Sequence, residues 1–319
     1  MLAPIILFVY NRPEHTRKTV EALQKNELAS ESVLYVFADG AKPGATEEQF
    51  ARIKEVRDYT GSITGFKEVH VEYSEKNKGL ANSVIAGVTR ILNEYGRVIV
   101  VEDDIVTHPF FLRYMNECLE IYKGRQDIFM IGGFSNNIRF PWWYRKDVYV
   151  LHRSCSWGWA TWKNRWTLAD WDVSDYHKMC QNEKLKKRFN RGGEDMFPML
   201  QAQMEGEIDS WAIRWDYAMY KHNALCVRPV RALCINAGTD GSGVHCDSTN
   251  RVLNAPLYPT DIPYKLQIDK NVSVSCIIAK RFKEFNSPPK ENVAKKYYVI
   301  LRHYIHITRL TILEMVKID

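Results

Sequence analysis

The sequence lacks the cysteine patterns and the hydrophobic segments that mark disulfide-rich, zinc-binding or membrane-spanning proteins. It has seven cysteines in 319 residues, an odd number, and no two of them form a C-x-x-C pair. The apolar N-terminal stretch "MLAPIILFVYNRP" is short and has no basic segment before it, so no signal peptide and no membrane span are predicted. We therefore expect reduced thiols and a cytoplasmic location.

Glycine-rich phosphate loops and strong charge are also missing. No P-loop and no dinucleotide-binding glycine fingerprint occurs, and there is no internal repeat or low-complexity segment. The net charge of +6 and the pI of about 8.8 are too mildly basic to indicate a nucleic-acid partner. The 45% hydrophobic and 26% charged residues give an ordinary globular composition, long enough for one large α/β domain or two smaller ones.

Apolar strands alternate with amphipathic helices in the first part of the chain. Strands are predicted in "PIILFVY", "VLYVFADGAKPG", "KEVHVEYSEKNKG" and "RVIVVEDD". Helices are predicted between them, one opening with Pro13 and another ending at Gly96. The short connections predict an α/β fold with a doubly wound, mostly parallel sheet flanked by helices. Ligands of such sheets bind at the carboxyl ends of the strands.

Three consecutive acids, Glu102, Asp103 and Asp104, follow the fourth predicted strand. A solvent-exposed turn would tolerate them, and so would a bound cation, whose charge offsets the repulsion between carboxylates. Polar residues also follow the other three strands, which favours a ligand site where the strand ends meet. Carboxylates suit Mg²⁺ or Mn²⁺, and an arginine beside them can bind phosphate. The polar residues after the first three strands are Tyr10, Asn11 and Arg12, then Asp39, then Asn77.

Four short motifs occur in one order along the chain: "FVYNRPEH", "FADG", "NKGLANSV" and "VVEDDI". Together they resemble the nucleotide-sugar-binding half of GT-A-fold glycosyltransferases, and "EDD" looks like the Asp-x-Asp motif of that family. The Glu-Asp-Asp form looks most like the N-acetylglucosaminyltransferase I group and its bacterial relatives. "SCSWGWATW", "RWDYAMY" and "GSGVHC" are similar to the acceptor half of those relatives. The resemblance implies a catalytic domain at residues 1–250, with a nucleotide-sugar-binding half at 1–106 and an acceptor half at 107–250.

The resemblance assigns donor-binding roles to the strand-end residues. Asp104 would ligate Mn²⁺ or Mg²⁺, while Glu102 and Asp103 would hydrogen-bond the ribose and the donor sugar. Asp39 would contact the uracil or ribose. The implied activity is metal-dependent transfer from a nucleotide-diphosphate sugar, in particular a UDP-sugar, to a hydroxyl of a glycan or glycolipid, with inversion. The remaining donor residues would be Tyr10, Asn11 and Arg12 at the nucleotide and phosphates and Asn77 beside the base.

The general base of such a reaction has two candidates in this sequence. An acceptor hydroxyl must lose its proton as it attacks, so a carboxylate has to lie within hydrogen-bond reach. The resemblance favours Asp216, in "RWDYAMY", as that base. Glu194 and Asp195, in "GGEDMFP", also look like the acidic pair that some inverting relatives use. The choice between Asp216 and this pair stays open at the level of sequence.

Two segments of the C-terminal third complete the prediction. The glycine-rich stretch "NAGTDGSGVHC" is a candidate lid that keeps water from the donor, and His245 within it would meet the phosphate or the metal. Residues 251–319 form a predicted extension whose end, "KKYYVILRHYIHITRLTILEMVKID", has the pattern of a basic amphipathic helix. That helix either packs on the domain or contacts an anionic membrane, at the inner face of the cell membrane.

Two other functional classes remain compatible with the sequence. A nucleotidyltransferase acting on sugar phosphates also uses acids and Mg²⁺ on a parallel sheet, although the glycine-rich loop and lysine usual after its first strand are missing from "VYNRPEH". A non-catalytic carbohydrate-binding relative could retain the same fold, although the intact acids argue against it. The expected setting of the transferase is polysaccharide or glycolipid biosynthesis, which is an analogy of fold.

Overall fold

The computed structural model describes residues 1–238 and 255–287. Eight strands form one sheet in the order β3-β2-β1-β4-β8-β6-β9-β7, and β5 and β10 form a small second sheet. Six strands of the large sheet are parallel to one another, while β8 and β7 run in the opposite direction. The strands are β1 Ile5–Val9, β2 Val33–Ala38, β3 Glu68–Tyr73, β4 Arg97–Glu102, β5 Ile105–Thr107, β6 Ile128–Gly132, β7 Val148–Leu151, β8 Trp159–Trp162, β9 Leu225–Pro229 and β10 Cys234–Asn236.

Helices connect most of the strands and flank the sheet. This arrangement confirms the predicted α/β, GT-A-like class with a mostly parallel sheet. The first helix begins at Pro13, and the third ends at Gly96, whose positive φ of 73° gives the expected glycine C-cap. The helices are α1 Pro13–Gln24, α2 Glu47–Thr60, α3 Leu80–Tyr95, α4 Phe111–Ile121, α5 Lys163–Trp166, α6 Tyr176–Cys180, α7 Glu183–Phe189, α8 Met196–Met204, α9 Trp211–Lys221 and α10 Cys276–Phe285.

The central strands are apolar because both faces of the sheet are covered. All five residues of β1 are buried, as are the four central residues of β4, and such continuous runs are typical of parallel strands between helices. A second part of the core is made of tryptophan. Trp159 stacks on Trp211 with ring centroids 4.7 Å apart, and Trp166 and Trp215 pack beside them at 5.0 Å. These four rings therefore hold β8 against α9.

The stretch "LCVRPVRALCINAG" forms two strands instead of the single strand that its apolar pattern predicts. β9 ends at Pro229, which has no N–H to extend the ladder, and the chain leaves the large sheet there. It then pairs antiparallel with β5, so that Asn236 lies opposite Ile105. This change of sheet places β10 directly beside the three acids that end β4.

The described residues between Met1 and Asn286 form one compact unit. The predicted domain boundary at residue 250 and the predicted lid residue His245 lie outside the described residues, as does the basic C-terminal segment. Within the described residues, α10 buries Ile278 and Phe282 against β7. No helix of residues 1–238 and 255–287 combines the length and the apolar character needed to cross a membrane.

Candidate active site

The acids that follow β4 meet an arginine from the end of β1. β4 and β1 are parallel neighbours, with Glu102 opposite Phe8, so the residues after both strands emerge at one edge of the sheet. Arg12 Nη1 donates a hydrogen bond to Asp104 Oδ2 at 2.9 Å and lies 3.6 Å from Asp103 Oδ1. Both aspartates are buried, with about 5% of their surface exposed. We call Arg12, Glu102, Asp103 and Asp104 the acidic cluster.

The acidic cluster holds more negative charge than its arginine can neutralise. Desolvation and the two neighbouring aspartates raise the pKa of Glu102 to about 8. Desolvation also raises the pKa of Asp103 to about 6, although the Arg12 charge and a backbone N–H of Tyr10 oppose that shift. The Trp211 indole donates a hydrogen bond to Glu102 and favours its charged form. Three carboxylates facing one guanidinium would be stabilised by a further cation or by protons.

The segment after β10 covers Asp104 closely. Ala237 N donates to the Asp104 carbonyl at 2.7 Å, and His15 Nε2 lies 3.3 Å from the Ala237 carbonyl. A side chain on Gly238 would place its Cβ 2.6 Å from Asp104 Oδ2 and 3.0 Å from Arg12 Nη1. Only glycine allows the backbone at position 238 to lie this close to Asp104 and Arg12. The predicted lid segment therefore begins beside the acidic cluster.

Asp39 and Asn77 hold together the loops that follow β2 and β3. The Asp39 carboxylate accepts from Lys78 N at 3.1 and 3.2 Å and from Gly40 N at 2.9 Å. Asn77 Nδ2 donates to the Gly40 carbonyl at 2.9 Å. These bonds fix the wall of the site beside α3. The predicted contacts of Asp39 and Asn77 with a base or ribose stay predictions.

Tyr10 and Asn11 lie at the end of β1, next to Arg12, and both are partly exposed. The Tyr10 hydroxyl accepts from Lys42 N at 3.4 Å. The structure therefore places the predicted donor residues of the first half together at the carboxyl edge of β1 to β4. Those residues are Tyr10, Asn11, Arg12, Asp39, Asn77, Glu102, Asp103 and Asp104.

Asp216, on α9, belongs to a second set of contacts. Its Oδ1 accepts from Ser154 N at 2.5 Å, and only 5% of the residue is exposed. Desolvation raises the pKa of Asp216 to about 6, while Arg153, Arg228 and the Ser154 hydrogen bonds limit the rise. Asp195 accepts a bidentate pair of hydrogen bonds from Arg153, Nη1 to Oδ1 at 2.8 Å and Nη2 to Oδ2 at 2.7 Å. We call Arg153, Asp195, Asp216 and Arg228 the arginine cluster.

The two members of the predicted Glu194–Asp195 pair have different partners. Asp195 is held by Arg153. Glu194 lies 2.6 Å from Lys283 Nζ on α10 and is half exposed. The structure therefore brings Asp195 and Asp216 to one arginine and separates Glu194 from both.

Three residues that sequence reasoning missed contribute to these clusters. His15 adds positive potential that lowers the pKa of Asp103, Trp211 hydrogen-bonds Glu102, and Arg153 joins the two candidate bases. A sequence signal existed only for His15, which follows Arg12 by three residues and so lies on the same side of α1. Nothing local in the sequence connects Trp211 with the acids or Arg153 with Asp195.

The donor atoms of the acidic cluster suit a hard divalent cation. Among the described residues, no three His, Cys, Asp or Glu side chains form a metal-binding group. Asp103 and Asp104 nevertheless both direct a carboxylate oxygen toward the position of Arg12 Nη1. Paired carboxylates are the ligands that Mg²⁺ and Mn²⁺ prefer, so Asp103 and Asp104 are the residues that could hold such an ion.

No family model and no curated protein matches the chain. Among solved structures, "S. aureus TarS 1-349" is 13% identical with a TM-score of 0.40, and the match covers 76% of this chain and 62% of that one. The same protein in complex with UDP is 14% identical, with a TM-score of 0.33 and coverages of 52% and 48%. UDP-glucose pyrophosphorylase complexed with UDP-glucose is 14% identical, with a TM-score of 0.32 and coverages of 52% and 79%.

These values concern the fold alone and are too low to transfer an activity. The chain also spans less than two thirds of the TarS structures named above, 62% and 48% of their length. The more specific resemblance to the N-acetylglucosaminyltransferase I group remains a prediction from the motifs.

Proposed function

We propose that this chain is a glycosyltransferase that moves a sugar from a UDP-sugar to a hydroxyl of a glycan or glycolipid, with inversion at the anomeric carbon. The observation that carries the proposal is the acidic cluster. Asp103 and Asp104 are buried at the carboxyl edge of a parallel sheet, where ligands of such folds bind, and a single arginine faces three acids. The site requires additional positive charge, which a divalent metal would supply while sharing its remaining coordination positions with the donor diphosphate.

Donor binding in this proposal uses side chains already close to one another. Asp104, with Asp103 beside it, would hold Mg²⁺ or Mn²⁺, which when bound stabilises the charge of a leaving diphosphate as a Lewis acid. Arg12 would exchange its bond to Asp104 for one to a phosphate oxygen, since guanidinium binds both groups well. Glu102, which precedes both aspartates at the end of β4, would hydrogen-bond a sugar or ribose hydroxyl.

Asp216 is the base that this proposal favours. With a pKa of about 6 it is mostly ionised at neutral pH and still basic enough to accept a proton from an attacking hydroxyl. Asp195 is less suited, because both of its oxygens already accept bonds from Arg153. Arg153 would then be a positioning residue that holds the negative charge of Asp216 in place.

Thermal unfolding with UDP tests the donor site. UDP at a hundredfold over its dissociation constant should stabilise the protein by roughly 2.7 kcal/mol when Mn²⁺ is present, and by much less in EDTA. Asp104→Ala should remove the metal-dependent part. Asp58→Ala, which alters an exposed acid paired with Lys54 on α2, is the matched control and should leave the shift unchanged. A UDP shift that survives both EDTA and Asp104→Ala would contradict the metal site.

Product analysis separates the transferase from its alternatives. Incubation of UDP-sugars and Mn²⁺ with a panel of glycan and glycolipid acceptors should release UDP at a rate that depends on the acceptor. Formation of UTP and a sugar phosphate from a UDP-sugar and pyrophosphate would instead identify a nucleotidyltransferase. Binding of UDP-sugars or glycans without either product would identify a non-catalytic carbohydrate-binding protein.

A further inference from the structure

Two tryptophans lie on the surface, away from the tryptophan core. Trp142 is 83% exposed and Trp143 is 50% exposed, and Ile277 of α10, also exposed, lies beside the same cavity. This surface cavity, of about 350 Å³, also contains the side chains of Arg139 and Arg281. We call these five residues the tryptophan patch.

The loop that carries the patch is anchored beneath it. Phe140 packs edge-on against Tyr149 of β7 with ring centroids 5.1 Å apart, and the Tyr144 hydroxyl donates to the Val148 carbonyl at 2.7 Å. Arg281 of α10 donates to the Arg139 carbonyl and closes the other side. Phe140 and Tyr144 are partly buried against the hydrophobic cluster that includes Tyr149 and Leu151, so the loop that exposes Trp142 and Trp143 is attached to the domain beneath it.

The patch combines apolar rings with cations and has no acids of its own. In the described part of the chain, neither Arg139 nor Arg281 forms an ion pair, whereas Lys146 nearby pairs with Asp269 at 2.5 Å. Its cavity is lined by no carboxylate and no amide side chain. The full lining is Arg139, Phe140, Pro141, Trp142, Trp143, Ile277 and Arg281.

This chemistry suits an anionic lipid surface better than a sugar. A sugar site needs carboxylates or amides to accept bonds from the sugar hydroxyls, and the side chains lining this cavity provide none. Tryptophan is favoured at the boundary between lipid headgroups and acyl chains, and arginine binds lipid phosphates. We propose that the tryptophan patch docks the protein on a bilayer that contains anionic lipids.

The patch and the acidic cluster lie at the same edge of the sheet. β7, which follows the patch loop, starts at Val148 opposite Pro229, the last residue of β9. β7 is four strands from β4 in the sheet, or about 19 Å at the usual strand spacing. A membrane bound at the patch would thus present an acceptor hydroxyl near the donor edge. That last step rests on the proposed function, whereas the lipid contact does not.

Vesicle flotation of the full chain tests the contact. The wild type should float with vesicles of phosphatidylcholine and phosphatidylglycerol, and much less with phosphatidylcholine alone. The double change Trp142→Ala and Trp143→Ala should lower the partition coefficient roughly tenfold or more, because binding scales with the apolar area buried. The double change Arg139→Gln and Arg281→Gln should lower it by about fivefold per charge, on anionic vesicles only.

Matched controls come from α2, which exposes an aromatic ring and cations away from the patch. The control protein carries Phe50→Ala, at a ring that is 54% exposed, and Lys54→Gln. Its partition coefficient on vesicles should equal that of the wild type. All variants keep the C-terminal segment, so any lipid binding by that segment is the same in each. Thermal unfolding of every variant verifies that it is folded, and UDP binding in Mn²⁺ shows separately whether the donor site is intact.

Fluorescence gives a second measurement on the same proteins. Brominated anionic lipids should quench part of the wild-type tryptophan emission, and the quenched part should disappear in the double variant Trp142→Phe and Trp143→Phe. Flotation of the Trp142→Ala and Trp143→Ala protein at the wild-type level would overturn the proposal. The proposal would also be overturned if the wild-type protein did not bind vesicles and a free neutral oligosaccharide changed the emission of its exposed tryptophans. That result would identify a sugar-binding surface.

Discussion

The acidic cluster and the arginine cluster contain similar acids in opposite charge environments. In the acidic cluster, three carboxylates face Arg12, whereas in the arginine cluster Asp195 and Asp216 face Arg153 and Arg228. Burial raises the pKa of Asp103 and of Asp216 to about 6 in both places. Only the first cluster has negative charge left over. An excess of buried charge indicates a missing ligand, and a balanced set indicates fixed geometry.

The arginine cluster is fixed by many bonds. Arg228 is 3% exposed, donates to Asn136 Oδ1 at 2.9 Å and lies 4.9 Å from the Phe282 ring centre. It also donates to the Ser154 carbonyl, one peptide unit from the N–H that binds Asp216. Asp216 is therefore held by Ser154, whose own position Arg228 fixes, as expected for an acid that must meet a substrate in one orientation.

Asp216→Asn should cause the largest loss of transfer activity, and it is the strongest test of the difference between the acidic cluster and the arginine cluster. Transfer should fall by about 10² to 10⁴, because the amide keeps the shape but cannot accept the proton of the acceptor. UDP binding should be unchanged, since the acidic cluster is untouched. In the wild type, the rate should increase with pH through about 6, because the base acts only when ionised. Initial rates of UDP release across pH measure both effects.

Asp195→Asn is the comparison variant for this test. It removes one partner of Arg153 but leaves Asp216 in place, so a much smaller loss of rate is expected. If Asp195→Asn abolishes transfer while Asp216→Asn does not, the base is Asp195 and the roles within the arginine cluster are reversed.

Arg153→Met should break the charge balance of the arginine cluster. Asp195 and Asp216 would lose a shared cation, and removing one partner of a partly buried ion pair costs roughly 2 to 4 kcal/mol of unfolding free energy. The pKa of Asp216 should increase as well, so the rise of the transfer rate should move to higher pH. Urea unfolding and the pH profile measure the two effects.

The control for Arg153→Met is Arg52→Met, in an exposed pair with Glu48 on α2. Its effect on the free energy of unfolding should be within about 0.5 kcal/mol. A loss of stability in Arg153→Met with an unmoved pH profile would show that Arg153 supports the fold and does not position the base.

The sequence predicted the features that depend on neighbouring residues. Buried strands follow from continuous apolar runs, and the acids are placed at the sheet edge because they directly follow β4. The arginine cluster could not be predicted in the same way. Arg153 and Asp195 are 42 residues apart and Ser154 and Asp216 are 62 apart, so only the packing of α8 and α9 beside the loop after β7 brings them together.

The pairing of Arg12 with Asp104 shows a different limit of sequence reasoning. The motif resemblance gives Arg12 a phosphate as partner, and in the structure it bonds Asp104. Both partners are anionic, so the residue type indicates the charge of the partner without its identity. Likewise, the apolar pattern through "LCVRPVRALCINAG" predicts strand but cannot indicate that Pro229 separates two sheets.

Glu102→Gln, whose expected effect is confined to neutral and alkaline pH, tests the excess charge of the acidic cluster directly. An acid whose pKa is raised by folding, here from 4.5 to about 8, binds its proton more tightly in the folded state. Its contribution to stability is therefore lost as pH rises from about 4.5 to about 8. In EDTA, Glu102→Gln should match the wild type near pH 4 and exceed its unfolding free energy by as much as about 5 kcal/mol near pH 9. Mn²⁺ with UDP should reduce the difference, because added positive charge stabilises the ionised carboxylate. Glu48→Gln, an exposed acid, should show no such pH dependence. Equal stability of Glu102→Gln and wild type at every pH would mean that the acidic cluster carries no excess charge, and the contrast with the arginine cluster would lose its basis.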